Sequence, residues 1–160
     1  STSSEHIENQ QGAVADGVLE AAASNSSLKP SVLFWNGSLS EYHGADYLGA
    51  YTTGGPPTEF GRMLNETFRD RGIAFNVNLY YIDRNGKRRQ LRMVNFGEPS
   101  THALAGRHLV TLYDADRLYD EDGRTAIAIQ NSSISFFAPD ISSGSRIYNV
   151  IVVEVVVWRM

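Results

Sequence analysis

The sequence predicts an α+β fold, with an N-terminal helix packed on an antiparallel β-sheet and a second short helix beside it. Three observations carry that expectation. Residues 1–24 are alanine-rich, with apolar side chains at helical spacing. Residues 73–95 alternate apolar and polar around an Asn85-Gly86 turn. Residues 145–160, SRIYNVIVVEVVVWRM, are dominated by valine and isoleucine. Helix followed by runs of antiparallel strands is the α+β order.

In the first segment Ile7, Val14, Val18 and Ala22 recur at helical spacing, with Ala13, Ala15, Ala21 and Ala23 beside them. Alanine is the best helix former, and Glu5 and Glu8 suit an N-terminal turn. Gly12 and Gly17 weaken the helix. Its apolar stripe is thin and built of small side chains, so it is suited to lie close against a sheet. It also reads as the lower half of a longer helix that starts before Ser1. The Ser24-Asn25-Ser26-Ser27 run ends it.

Val32 to Trp35 reads as a short strand after Pro30. Residues 36–57 are rich in Gly, Ser, Tyr and Thr and lack periodicity. A loop of that length is functional or mobile. Tyr42, Tyr47, Tyr51 and His43 either line a binding surface or pin the loop to the body of the protein, and the second role is favoured. Gly54-Gly55-Pro56-Pro57 reads as a linker, since it lacks the Lys-Ser/Thr ending of a phosphate-binding loop. The second helix is expected over residues 58–71, with proline tolerated at its start. Phe60, Met63, Leu64 and Phe68 form its apolar face, and Gly72 follows as a left-handed C-terminal residue.

The hairpin's register follows from its pattern. A two-residue turn at Asn85-Gly86 sets Leu79 opposite Arg92. A three-residue loop, Arg84-Asn85-Gly86 with Gly86 left-handed, sets Leu79 opposite Leu91 and Val77 opposite Met93. A one-residue slip exchanges the two faces of a strand, so the second register is expected. Lys87, Arg88, Arg89 and Arg92 make its tip basic. Further strands are expected within residues 104–114 and at 125–130 and 134–137. The last run is apolar on both faces, which predicts a middle strand covered on both sides. It is too short for a membrane-spanning helix of ~20 apolar residues. Asn149 and Glu154 interrupt it, and mark the places to look for a buried partner or a subunit contact.

At 160 residues, the chain is expected to form one domain over 1–160, long enough to bury a core. With 42% hydrophobic and 20% charged residues it is globular. Fourteen basic and eighteen acidic residues leave a net charge of −4, which is no footprint for nucleic acid. The lack of cysteine excludes a disulfide scaffold and thiolate metal sites. Ser1 stands where an initiator Met is expected, with no basic or apolar leader after it, which points to a processed or trimmed product.

No catalytic constellation rises above background. The chain has no nucleophile elbow, P-loop or dinucleotide fingerprint. Asp114, Asp116, Asp120, Glu121, Asp122 and Gly123 form an acidic loop whose spacing does not fit an EF-hand, and a solvated turn is expected. His6, His43, His102 and His108 lack zinc-ligand spacing. No metal, cofactor or catalytic residue is therefore assigned. An enzyme would require polar groups of altered acidity converging on His43, His102 or His108.

The surface signal is stronger. Asn25, Asn36, Asn65 and Asn131 each open an Asn-x-Ser/Thr sequon. That is four of ten asparagines, against roughly one in ten at ordinary Ser and Thr frequencies. These four are the candidate glycosylation sites of an exported protein.

Residues 75–89 (FNVNLYYIDRNGKRR), 95–118 (NFGEPSTHALAGRHLVTLYDADRL) and 147–160 (IYNVIVVEVVVWRM) resemble a group of haloarchaeal, type-IV-pilin-like, membrane-anchored surface proteins. The stretches 1–11 and 53–77 fit the same pattern. The resemblance implies an upstream apolar helix as membrane anchor, continued by residues 1–24 lying on the sheet. It implies a non-enzymatic, minor pilin-like subunit outside the cell, acting in surface assembly or adhesion, with other pilin-like subunits or surface proteins and the membrane as partners. The alternative is an extracellular module that binds a small molecule or glycan through the tyrosine-rich loop 36–57.

Overall fold

The computed structural model describes residues 2–36, 41–42, 56, 58–119, 126–131 and 136–160. It is α+β: a long helix and two short ones lie on one face of a four-stranded antiparallel sheet. Helix α1 runs Thr2–Ser24, α2 Leu28–Leu33 and α3 Glu59–Thr67. The four-stranded sheet is built from β3 (Ile73–Ile82), β4 (Arg88–Asn95), β5 (Leu104–Tyr113) and β8 (Ile147–Arg159), in the order β4-β3-β8-β5. Two small ladders accompany it. One pairs β1 (Trp35–Asn36) with β2 (Glu41–Tyr42), and the other pairs β6 (Arg117–Tyr119) with β7 (Ala126–Ala128).

The last strand is an inner strand, hydrogen-bonded to β3 on one side and β5 on the other. Its odd-numbered residues from Asn149 to Val157 face the helices and are buried. Ile151, Val153 and Val155 meet Val77 and Leu79 of β3, Val110 and Leu112 of β5, and Phe60, Leu64 and Phe68 from α3 and its end in one core. Each such side chain withdrawn from water contributes ~2 kcal/mol. Among the described residues the cover expected on both faces is found on one. On the even-numbered face Val150, Val152 and Val156 remain half-buried, and the helical layer lies on the other side. An unbroken valine run reads as doubly covered because periodicity is silent when every residue is apolar.

Helix α1 lies mainly over the edge strand β5. Its buried stripe is Ala15, Val18, Leu19 and Ala22, whereas Val14 points out, 43% exposed. The sequence favoured Val14 by size, but the contact selects the smallest residues. Gly106 shows why: a Cβ there would sit 2.6 Å from the backbone nitrogen of Asp16 and 2.8 Å from the carbonyl carbon of Ala15. Side by side with this contact, the Asp16 carboxylate accepts the Arg107 backbone N–H at 3.1 Å. The helix thus satisfies an edge donor that would otherwise be free for strand addition.

The end of α1 falls where the Ser/Asn run predicts. Ser26 takes a left-handed conformation at φ 62°, and the Ser27 N–H reaches back to the Ala22 carbonyl. This is the wrap-back that closes helix C-termini, with serine in the place glycine usually fills. Residues 28–33, expected to lead into a strand from Val32, form α2 instead. Pro30 sits in its first turn, where its missing N–H costs nothing, and Leu28, Val32 and Leu33 are buried on one side. Only Trp35 and Asn36 are extended. The Ser31 hydroxyl bonds the Ser27 carbonyl at 2.7 Å and Thr58 Oγ1 at 2.6 Å, tying α2 to the start of α3.

Helix α3 buries Phe60, Leu64 and Phe68, with Met63 half-buried, and a 3₁₀ turn (Arg69–Arg71) carries it to Gly72 at φ 73°. The hairpin closes through Arg84-Asn85-Gly86 with Gly86 at φ 79°, and Leu79 faces Leu91, as expected. Beyond that pair the register shifts. Val77 faces Val94 rather than Met93, because a bulge leaves one extra residue in β4 and buries Met93 and Val94 together. The strand expected at residues 125–130 is three residues long and passes into a 3₁₀ turn (Ile129–Asn131). Phe136 and Phe137 are not in a strand. They stack at 4.2 Å beside Tyr81 and Tyr148, and residues 134 and 135 lie outside the described residues.

Candidate functional site

The outer face of the sheet carries the densest polar arrangement among the described residues. Strand pairing sets it out. Glu154 of β8 lies opposite Asn78 of β3 and Arg107 of β5. Tyr80, two residues along β3, and Arg88 and Arg92 of β4 share that face by alternation.

Glu154 is only 5% exposed, yet every side of its carboxylate is met. Asn78 Nδ2 donates to Oε1 at 3.0 Å and the Tyr80 hydroxyl donates to the same oxygen at 2.9 Å. Arg107 Nη2 lies 2.7 Å from Oε2. Burying a carboxylate costs several kcal/mol, and charge-assisted partners of this kind offset it. Burial pushes the Tyr80 phenol above its ordinary pKa, and its bond to Glu154 pushes further the same way, against the nearby Arg88 and Arg107 charges. Tyr80 is therefore held as a neutral donor. The Arg88 guanidinium lies over the Tyr80 ring at 3.9 Å from its centre.

Around this centre the surface is basic and apolar. Arg88, Gln90, Arg92 and Arg107 are exposed, and Leu109 is 59% exposed, beside the half-buried Val150 and Val152. Arginine, tyrosine and aliphatic side chains in one patch match the composition of a contact surface.

Asn149, the other interruption of β8, is a tie within the fold. Its amide donates to the Ile82 carbonyl at 3.0 Å and the Pro139 carbonyl at 2.8 Å, while its oxygen accepts the Val150 N–H at 2.7 Å. A cluster at the rim joins Asp114, at the end of β5, to Asp140. Burial raises the Asp114 pKa, and the charge of Asp140 raises it further. A concavity of about 520 Å³ there is lined by Tyr113, Asp114, Ala115, Gln130 and Arg146. Asp116 instead bonds Lys29 at 2.7 Å and caps the Tyr113 N–H at 2.8 Å. The rest of the acidic loop, 120–123, lies outside the described residues. A groove of about 480 Å³ runs between the α1–α2 corner and β5, where Lys29, His108, Leu109 and Tyr113 meet.

The four sequons are spread over the molecule. Asn25 is exposed at the end of α1, its side-chain oxygen accepting the Ser27 N–H at 3.1 Å and its amide reaching Met63 Sδ at 3.6 Å. Asn65 is half-buried on α3, and Asn131 is exposed in the 3₁₀ turn after β7. Asn36 ends β1, with its side chain outside the described set. His102 is exposed between β4 and β5, and His108 is half-buried on the helix side of β5. His6 lies in α1 with its side chain undescribed, and His43, Tyr47 and Tyr51 lie outside the described residues, as does most of the loop 36–57. Tyr42 pairs with Trp35 across β1 and β2. Sequence reading singled out Glu154 but not its partners Asn78, Tyr80 and Arg107. The signal was the even-numbered polar set of β3 (Asn76, Asn78, Tyr80), which reads as solvent-facing until β8 is placed beside it.

Among the described residues no group of three or more His, Asp and Glu side chains is placed to hold a metal, and no helix is long and apolar enough to cross a membrane. No curated protein and no solved structure matches the chain. The sequence profile of a family of unknown function (DUF7288) matches residues 1–157, and the chain belongs to that family.

Proposed function

We propose that this protein is a non-enzymatic, pilin-like subunit of the cell surface, held by an apolar anchor segment upstream of α1 and acting in surface assembly or adhesion. One observation carries the reading. Helix α1 is apolar on both sides. Ala15, Val18, Leu19 and Ala22 are buried against the sheet, while Ala13, Val14, Gly17, Ala21 and Ala23 are exposed on the outside. A helix that serves only its own core carries charge on its outer face. Between residues 10 and 24 the exposed charges are Asp16, which bonds the β5 edge, and Glu20 alone. Such a helix is suited to a neighbouring subunit. The exposed sequons at Asn25 and Asn131 agree with an extracellular setting.

The test is made on producing cells. Protease treatment of intact cells should remove the protein, and native material should carry glycan mass on peptides containing Asn25 or Asn131. A precursor without a ~20-residue apolar segment before α1 removes the anchor. Protection inside intact cells removes the surface reading altogether.

A further inference from the structure

Among the described residues the outer side of α1 and the outer face of the sheet are both short of partners, and helix α1 and that sheet face are opposite in charge. Helix α1 contains Glu5, Glu8, Asp16 and Glu20 and no lysine or arginine. The sheet's outer face presents Arg88, Arg92 and Arg107 around Glu154, whose own charge is already met by Arg107. This basic patch belongs to a chain of net charge −4. The shapes agree as well. Ala13, Gly17 and Ala21 recur every fourth residue and leave room for close approach, and nothing lies within 4 Å of a Cβ built on Gly17. The same helix already sits on a sheet in this way on its other side, at Gly106. The sheet face offers Leu109, Val150 and Val152 as its apolar floor, and α1 offers Val14.

We infer that the outer face of the sheet takes α1 of a second copy of this chain. The two surfaces are different, so the contact is head-to-tail. Such a contact leaves one free surface at each end and grows into an open string rather than a closed dimer. This deepens the surface-subunit reading and rests on it for its setting. The arginines steer the acidic helix onto the face and fix its direction, while the small residues and the valines form the dry centre.

Sedimentation velocity on this chain tests the contact. The wild type should show a weight-average sedimentation coefficient that rises with concentration at low salt, and that falls toward the monomer value near 1 M salt, where charges act over only about 3 Å. Arg88→Gln with Arg92→Gln removes the sheet surface, and Glu20→Arg with Val14→Arg removes the helix surface. Each variant alone should sediment as a monomer. Their equimolar mixture should give a 1:1 dimer that does not grow, since one intact helix then meets one intact sheet face. Wild-type thermal stability in both variants shows that they fold, and Arg92→Gln alone or Glu20→Arg alone replaces a pair that does not. A wild type that stays monomeric at low salt overturns the inference. So does a mixture that stays monomeric, or association that both variants retain. None of these results bears on whether the protein is at the cell surface, which the protease experiment reads separately.

Discussion

The two faces of the sheet solve the same problem by opposite means. The helix side is closed by shape. Ala15 and Asp16 of α1 press on Gly106, and the valines and leucines of β3, β5 and β8 fill the space beneath. The outer side is held by charge. Glu154 sits nearly buried with no covering layer among the described residues, because Asn78, Tyr80 and Arg107 converge on it. Close packing cannot tolerate one added methyl group. A charge network tolerates volume but not the loss of one member. The comparison predicts that size changes matter on the first face and charge changes on the second.

The largest effect is expected at Gly106. Gly106→Val places a branched side chain where even a Cβ lies 2.6 Å from backbone. The helix must lift off the edge strand or the strand must move, and the Asp16 bond to the Arg107 N–H is lost with either. Overpacking costs typically 1–3 kcal/mol, and the lost edge contact should bring the total to about 3 kcal/mol in urea denaturation. A loss below about 0.5 kcal/mol would mean that α1 is not seated on β5 as described.

On the outer face Arg107→Leu leaves Glu154 buried with two neutral donors. Breaking a fully buried pair costs 3–5 kcal/mol. Arg107 is 57% exposed, so water reaches the gap and about 2 kcal/mol is expected. The sharper measurement is the double variant with Glu154→Gln, whose carbonyl still accepts from Asn78 and Tyr80. Removing both charges while keeping that acceptor should recover much of the loss, since no unpaired charge is then buried. A double variant as unstable as the sum of its parts would show that the face is held by volume after all.

Asp114 lies at the rim, and it is pushed the opposite way from a carboxylate in a salt bridge. Burial, then Asp140, raise its pKa from the ordinary 3.8. Folding therefore favours its protonated form. The associated stability is present in full below pH 3.8 and is lost as pH rises through the higher folded value. Asp114→Asn should raise the melting temperature at neutral pH, with a gain that shrinks as the solution is acidified. A gain that is constant with pH would assign it to something other than the carboxylate's charge.

How much of this was legible follows from the same contrast. Patterns that repeat were readable: the hairpin's register near its turn, α3's apolar face, and the inner position of β8. Features that depend on what comes to lie beside a residue were not. Val14 and Ala15 are neighbours in a stripe, and only the close approach at Gly106 decides which is buried. The bulge at Met93 leaves no trace in a run where Leu91, Met93 and Val94 are all apolar. The valines of β8 hid the difference between its two faces. Glu154 stood out as a polar interruption, but its partners come from strands 74 to 76 residues and 47 residues away in the chain. The loop 36–57, offered as a binding surface, lies mostly outside the described residues.

The smallest effect on stability separates a finished surface from a contact surface. Leu109 is 59% exposed on β5, at the border of the arginines and valines of the outer face. Leu109→Ser removes little area from water that the fold itself buries, and surface changes of this kind fall within about 0.5 kcal/mol. Its melting temperature should match the wild type at concentrations where the chain is monomeric. At concentrations where copies associate the two proteins should part, because only the wild type then buries Leu109. A concentration-dependent difference in melting temperature between two proteins that are equally stable as monomers assigns the side chain to a contact between molecules. If the two remain equal at every concentration, Leu109 is an exposed leucine of the ordinary kind, and the outer face is complete without a partner at that position.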